Sequence, residues 1–238
     1  MLIGQGIDPD TAARLPVGQG GPFYGVYPAI VVDIADPDQQ GRVLVRLPWS
    51  PDGDGARYEA WARMATMFAG TDRGSWFIPD PDDEVLVAFA GGDPRSPFVL
   101  GGLWNGSDAP PEEMDSGGEN NVKTIKSRNG VRISLDDTSG SETLTLETPG
   151  GQSMTLTDEG NEVTVTDANG NTVTLAQSGV TVDASSKVKV SASQVEISAG
   201  MVSVNAGMAK FSGVVQAQTV IATSVVGSSY TPGAGNIW

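Results

Sequence analysis

The sequence contains no cysteine and no histidine. Without cysteine there is no disulfide framework, no thiolate zinc site and no thiol nucleophile. Without histidine there is no Ser-His-Asp triad and no imidazole-ligated metal. Most hydrolase chemistry is thereby excluded, and a carboxylate pair is what remains. Positive charge is also scarce: 14 Lys and Arg stand against 29 Asp and Glu, a formal net charge of −15. That balance argues against nucleic acid or an anionic membrane as the main partner and suits a long, soluble β-rich surface. No stretch reaches the length of a membrane-spanning helix; the apolar segment from Val214 to Val226 is interrupted by Gln216, Gln218, Thr219 and Ser224. The start, Met1-Leu2-Ile3-Gly4-Gln5-Gly6-Ile7-Asp8, has neither the basic region nor the apolar run of a signal peptide, so none is expected.

What the chain has instead is a long array of short alternating segments from about Ile125 to Val226. Val131 to Leu135, Thr143 to Glu147, Met154 to Thr157, Val163 to Thr166, Val173 to Leu175 and Val180 to Val182 each alternate apolar and polar residues with period two. Val188 to Ser191, Val195 to Ser198 and Val202 to Val204 do the same. That is the pattern of a strand with one buried and one wet face. The units recur about every ten residues, then about every seven or eight, which marks a solenoid or a stacked array. The joints are Gly, Asn, Asp and Ser, for example Pro149-Gly150-Gly151 and Asp158-Glu159-Gly160-Asn161, residues that turn a chain sharply. Asn169-Gly170 suits a primed hairpin turn and so favours a plain antiparallel meander in the early units. Ala184-Ser185-Ser186 and Ala199-Gly200 read as corners. Each unit offers only two or three inward apolar side chains, too narrow a strip to close a core. It must wind into a β-helix, or three copies must share an axis; the pattern alone leaves both open. About thirteen units at about 4.8 Å each would build a shaft on the order of 60 Å long.

Before the array, five alternating stretches lie within about 80 residues: Tyr27 to Ile34, Arg42 to Trp49, Ala60 to Ala65, Glu84 to Phe89 and Pro97 to Leu103. With long loops and an early hairpin at Asp36-Pro37-Asp38-Gln39-Gln40-Gly41, they fit a small Greek-key barrel of the OB type. Asp36 and Asp38 suggest a calcium loop, but the turn supplies too few oxygens and a structural hairpin is the better reading. Asp93 and Arg95 are read as an ion pair fixing a turn. Trp49, Trp61, Trp76 and Trp104 invite the thought of a ligand-binding barrel face. With so few basic residues they are better read as core or interface.

The residues from 23 to 106 resemble the OB domain of the central spike of contractile tails, the family of phage baseplate assembly protein V and the VgrG-like spikes of injection systems. The resemblance is carried by Tyr27-Pro28-Ala29-Ile30-Val31, Asp36-Pro37-Asp38, Gly41-Arg42-Val43, Ala60-Trp61-Ala62-Arg63, Asp83-Glu84-Val85-Leu86-Val87, Gly92-Asp93-Pro94-Arg95 and Leu100-Gly101-Gly102-Leu103-Trp104-Asn105-Gly106. It implies an all-β chain: an N-terminal OB-fold barrel followed by a trimeric intertwined β-helix, the needle. The organisation expected is an N-terminal arm over 1–22, the barrel over 23–106, a linker over 107–124, the triple-stranded β-helix over 125–226 and a tip platform over 227–238. The arm is either a tail or a segment that docks on a neighbour.

The resemblance further implies a non-enzymatic homotrimer in the baseplate of a virion or contractile particle. Its partners would be a baseplate hub protein, a PAAR-type tip protein and, transiently, the target-cell envelope, with no nucleic acid and no cofactor. Phe23 and Tyr24 are the candidate hub contacts; Tyr230, Ile237 and Trp238 are the candidate tip contacts. With only about 22 residues ahead of the barrel, the chain resembles the short form that relies on a separate hub. The linker Ser107 to Lys123 leaves no room for a lysozyme domain, and without histidine the iron-binding tip of certain short spikes is not expected. Two rival readings are a single-chain β-helical enzyme acting on polysaccharide through paired carboxylates, and a trimeric receptor-binding fibre.

Overall fold

The computed structural model describes residues 22–51 and 57–229. Fourteen strands follow one another along them: β1 (Val26–Asp33), β2 (Val43–Pro51), β3 (Arg57–Met64), the two-residue pair β4 (Ala69–Gly70) and β5 (Arg73–Gly74), β6 (Glu84–Phe89), β7 (Pro97–Gly102), β8 (Val122–Lys126), β9 (Arg132–Asp136), β10 (Thr143–Glu147), β11 (Ser153–Thr157), β12 (Glu162–Thr166), β13 (Thr172–Ala176) and β14 (Gly179–Asp183).

The first region is a closed barrel in the order β1-β2-β3-β7-β6, with β6 returning to pair with β1. Its neighbours are antiparallel except β3 and β7, which run parallel through Arg63 opposite Phe98 and Met64 opposite Val99. Five strands closed with this one parallel pair form the OB-type barrel read from the sequence. Alternation dictates the core. Ala29 and Val31, Val43, Val45 and Leu47, Ala62, Val85, Val87 and Val99 all point inward and are buried. Phe23 and Phe89 complete the cluster, with Tyr27 and Trp49 packed against it. The early hairpin is locked by Asp36. Its carboxylate accepts the backbone N–H groups of Asp38, Gln40 and Arg42 and the Arg42 guanidinium at 2.6 Å. Arg42 holds the Asp36 carboxyl far below the usual carboxylate range, with the backbone N–H bonds adding to the effect. Asp36 is therefore a turn anchor, and among the described residues no cluster of acidic side chains has the makings of a metal site.

The second region, from β8 to β14, is a seven-stranded antiparallel meander in strict sequence order. It begins three residues before the expected start, because Val122, Lys123 and Thr124 of the anticipated linker pair with β9. The Asn169-Gly170 turn is not of the primed two-residue kind. It sits in a five-residue loop in which the Gly170 N–H bonds back to the Asp167 carbonyl and only the glycine takes positive φ. The same arrangement recurs at Ser127–Gly130 and Thr148–Gly151, on the same end of the sheet. Each places glycine at the left-handed position after a tight turn. The three loops touch: a methyl at Gly130 would meet Pro149, and one at Gly151 would meet Ala168.

Residues 188–229 form a separate unit in which no strand is assigned and every described residue is exposed. The alternating segments expected at 188–191, 195–198 and 202–204 form no strand within one chain. A strand exists only when a neighbour receives its N–H and C=O groups, and one chain supplies none here.

Candidate functional site

The chemistry-bearing feature of the meander is its two faces. Cross-strand register lines up Leu135, Leu144, Leu156, Val163, Leu175 and Val180 in one ladder. Ile125, Ile133, Leu146, Met154, Val165, Val173 and Val182 make a second ladder on the same face. The opposite face carries a row of hydroxyls: Thr124, Ser134, Thr145, Thr155, Thr164, Thr174 and Thr181. Two continuous aliphatic rows six and seven strands long would form the floor of a hydrophobic core, yet among the described residues nothing covers them. Among the described residues none beyond Val99 is buried. An exposed aliphatic face of this extent marks an association surface. It also disfavours the single-chain enzyme reading, in which one backbone would bury its own inward side chains.

The hydroxyl face is partly covered by the linker. Glu112 reaches Arg132 at 2.7 Å and accepts the Thr124 hydroxyl at 2.8 Å, and Arg132 also contacts Glu147 at 3.3 Å. One arginine thus ties the linker to β9 and β10. No local pattern in the sequence pointed to this contact, since its partners lie 20 and 15 residues away.

At the barrel, the two candidate hub residues part company. Phe23 is 3% exposed, stacked on Phe89 at 4.9 Å and edge-on to Trp49, so it is core and not an accessible contact. Tyr24 is 66% exposed and alone of the pair offers its ring to solvent. The two are held in place by their backbone: Phe23 N–H donates to the Gly92 carbonyl at 2.8 Å, and the Tyr27 hydroxyl donates to the Tyr24 carbonyl at 2.7 Å. Gly92 has φ +78° and lies so close to Pro22 and the Tyr24 ring that a Cβ there would come within 2.9 Å and 3.0 Å of them. The candidate tip contacts Tyr230, Ile237 and Trp238 lie outside the described residues, as does most of the arm.

The four tryptophans divide in the same way. Trp49 stacks on Tyr27 at 4.9 Å and donates its indole N–H to the Pro28 carbonyl, and Trp61 lies beneath the Arg42 guanidinium. Trp76 and Trp104 stand out from the barrel, 75% and 70% exposed. Asp93 and Arg95 form the expected turn, with the Arg95 N–H on the Asp93 carboxylate and the ion pair at 3.1 Å.

Two family models match this chain. One, described as the type VI secretion system/phage-baseplate injector OB domain, covers residues 27–104, the barrel strands almost end to end. The other, the phage baseplate V C-terminal trimerisation domain, covers residues 143–209, from β10 through the early part of the unpaired unit. Together they take in more than half of the chain. The chain is 32% identical over 114 residues to the type VI secretion system spike protein VgrG1a of Pseudomonas aeruginosa, a match spanning 45% of this chain and 18% of that protein. To the spike protein VgrG3 of Vibrio cholerae it is 30% identical over 113 residues, 46% of this chain and 11% of the relative. To the actin cross-linking toxin VgrG1 of Vibrio cholerae it is 28% identical over 113 residues, 46% of this chain and 10% of the relative. The match thus spans less than a fifth of the length of each of these relatives. An OB-type barrel joined to a sheet with one uncovered aliphatic face, matched at both ends by baseplate models, places the chain in the contractile-tail central spike family of phage baseplate V proteins and VgrG-like spikes.

Proposed function

We propose that this protein is the central spike of a contractile tail or injection-system baseplate, a homotrimer whose needle joins a hub to a PAAR-type tip protein and punctures the target envelope. The observation that carries this reading is the pair of aliphatic ladders left open along the meander. Three such sheets, each turning its aliphatic face to a common axis, bury all the rungs at once and leave the hydroxyl faces in water. The match of a trimerisation domain to residues 143–209 supports three copies over two. The same three-fold arrangement gives the alternating residues after 188 the neighbours that one chain lacks.

The role is mechanical. Continuous backbone hydrogen bonding and a dry interior leave no soft joint along the needle, and the Glu112–Arg132–Glu147 contacts stiffen its upper end. Tyr24 faces the hub, and Tyr230, Ile237 and Trp238 receive the tip. None of this calls on bond-making chemistry. Light scattering on the purified chain tests the reading: a mass of three chains is expected, and a well-folded single chain overturns it. Deletion of residues 227–238 separates the tip contact from the rest. Loss of co-purifying tip protein from an intact trimer is the expected outcome, and undiminished binding removes that part of the proposal.

A further inference from the structure

Three asparagines in the chain are followed by glycine: Asn105-Gly106, Asn129-Gly130 and Asn169-Gly170. Glycine has no Cβ to shield its backbone nitrogen, so that nitrogen can reach the side chain of the residue before it. We propose that Asn129 is a self-modification site, the Asn-Gly pair that this fold leaves open to deamidation while it holds the other two shut. In the reaction the deprotonated Gly130 nitrogen attacks the Asn129 side-chain carbonyl carbon. The new N–C bond forms, the bond to Nδ2 breaks, and ammonia leaves with the proton that the nitrogen gave up. Water then opens the succinimide ring. Cleavage of the new bond leaves aspartate, and cleavage of the old main-chain bond leaves isoaspartate. No oxidant, reductant or cofactor enters, and the inference holds for one chain or three.

All three asparagines are exposed, so exposure does not rank them. Their hydrogen bonds do. Asn105 is held at both ends of its amide. Its Nδ2 donates to Glu84 at 2.7 Å and to Asp108 at 2.9 Å, and its Oδ1 accepts the N–H groups of Ser107 and Asp108, each at 2.8 Å. Asn169 is held by Asp167, with its Nδ2 on one carboxylate oxygen at 3.2 Å and its backbone N–H on the other at 2.8 Å. The Asn129 amide makes no hydrogen bond to a described residue.

The loops at 129 and 169 make an internal comparison. In both, the glycine N–H bonds to the carbonyl three residues back, at 2.9 Å and 3.2 Å, and the glycine has φ +89° and +81°. What differs is the residue two before the asparagine. At 127 it is serine, whose single Oγ accepts the Val131 N–H at 3.0 Å. At 167 it is aspartate, whose carboxylate accepts the corresponding Asn171 N–H at 2.9 Å and has a second oxygen for the Asn169 amide. An amide held by a carboxylate must break a charge-assisted bond before its carbon can turn toward the next nitrogen. The product at 129 also has consequences where it stands. A new carboxylate lies next in sequence to Arg128, which pairs with Asp80 at 2.7 Å, and the isoaspartyl form lengthens the main chain of a loop whose Gly130 faces Pro149.

The full-length protein is incubated at mildly alkaline pH, sampled over time, digested at mildly acidic pH and mapped by mass spectrometry for the amide-to-acid exchange at each site. Asn129 is expected to convert at least about tenfold faster than Asn105 or Asn169, the factor that one charge-assisted hydrogen bond supplies. A parallel sample unfolded in urea has lost those bonds, and there the three rates should converge. Equal rates in the folded protein, or the folded order kept unchanged in urea, overturn the inference. Exchanging the two turn residues tests the cause. Asp167→Ser should bring Asn169 up to the rate of Asn129, and Ser127→Asp should slow Asn129 at least about tenfold, with circular dichroism reading the fold of each. A folded Ser127→Asp protein in which Asn129 converts at an unchanged rate overturns the inference. Should either variant fail to fold, the unsubstituted protein in buffer and in urea decides the matter alone.

Discussion

The barrel and the meander are built from the same material and end in opposite states. Both are β-strands with period-two alternation and an aliphatic face, antiparallel throughout in the meander and in every barrel pair but β3–β7. In the barrel, β6 comes round to β1 and β3 pairs with β7, so the apolar face curls onto itself and Val31, Val45, Val87 and Val99 are buried by their own chain. In the meander each strand pairs only with its sequence neighbours, so the sheet stays open and its leucines and valines remain half exposed. Closure therefore depends on long-range pairing, and alternation alone does not provide it. A strand pattern says which face seeks cover; connectivity says whether the cover comes from the same molecule.

The comparison breaks most sharply by placing a charge on each apolar face. Leu146→Asp should abolish the trimer, since an unpaired charge within a shared core costs roughly 3–5 kcal/mol per copy and three copies act together. Light scattering should then show single chains whose barrel near-ultraviolet signal is unchanged. If Leu146→Asp leaves a trimer, the aliphatic face is not the shared core. Truncation gives the next largest effect. Leu47→Ala in the barrel should cost about 2–5 kcal/mol at any protein concentration, whereas Leu156→Ala should lower a melting temperature that itself depends on concentration. Equal concentration dependence for the barrel and meander transitions would erase the distinction drawn here.

Gly92→Ala should destabilise the barrel end by about 1–3 kcal/mol, because alanine at φ +78° is strained and its methyl meets Pro22 and Tyr24. The change should be read in the fluorescence of Trp49, which packs edge-on to Phe23. Acid should loosen both regions at their turns. The Asn171 amide, followed by its backbone N–H, holds the Asp167 carboxyl down to about 2 from an ordinary 3.8, and Asp36 is depressed further by Arg42. Depressed carboxyls contribute stability that is complete above pH about 4 and is lost as the pH falls through their folded values. Asp167→Asn should reduce the meander's share of that acid sensitivity, leaving the part due to Asp136, which the Thr138 hydroxyl also holds low, and should leave the barrel's unchanged, as followed by circular dichroism between pH 4 and pH 2. The smallest effect is expected from Arg128→Ala. It removes an exposed ion pair to Asp80, worth under about 1 kcal/mol, and should leave the assembly state unchanged.

Much of this architecture was legible beforehand. The five barrel strands, the Asp36 hairpin and the Asp93–Arg95 turn follow from local alternation and local side-chain-to-backbone bonds, which act over a few residues. The Asn169-Gly170 dipeptide suits a primed turn when taken alone, but it is only half of the loop's signal. Asp167, two residues earlier, binds the N–H groups of Asn169 and Asn171 and fixes the longer form. In the sequence Phe23 stands beside Tyr24 as a candidate hub contact, and nothing local separates the two rings. The structure puts Phe23 in the core because Phe89 and Trp49, distant in sequence, converge on it.

The sequence by itself determined where strands lie, which of their faces is apolar and where the chain turns, because these depend on spacing and on the conformational reach of glycine, aspartate and asparagine. Only the tertiary structure decided that one apolar face closes while the other stays open, that Trp49 and Trp61 pack while Trp76 and Trp104 stand clear, and that Arg132 binds the linker to the sheet. Those outcomes rest on contacts between residues far apart along the chain. Such contacts leave no period in the sequence, and their geometry exists only once the backbone has been folded.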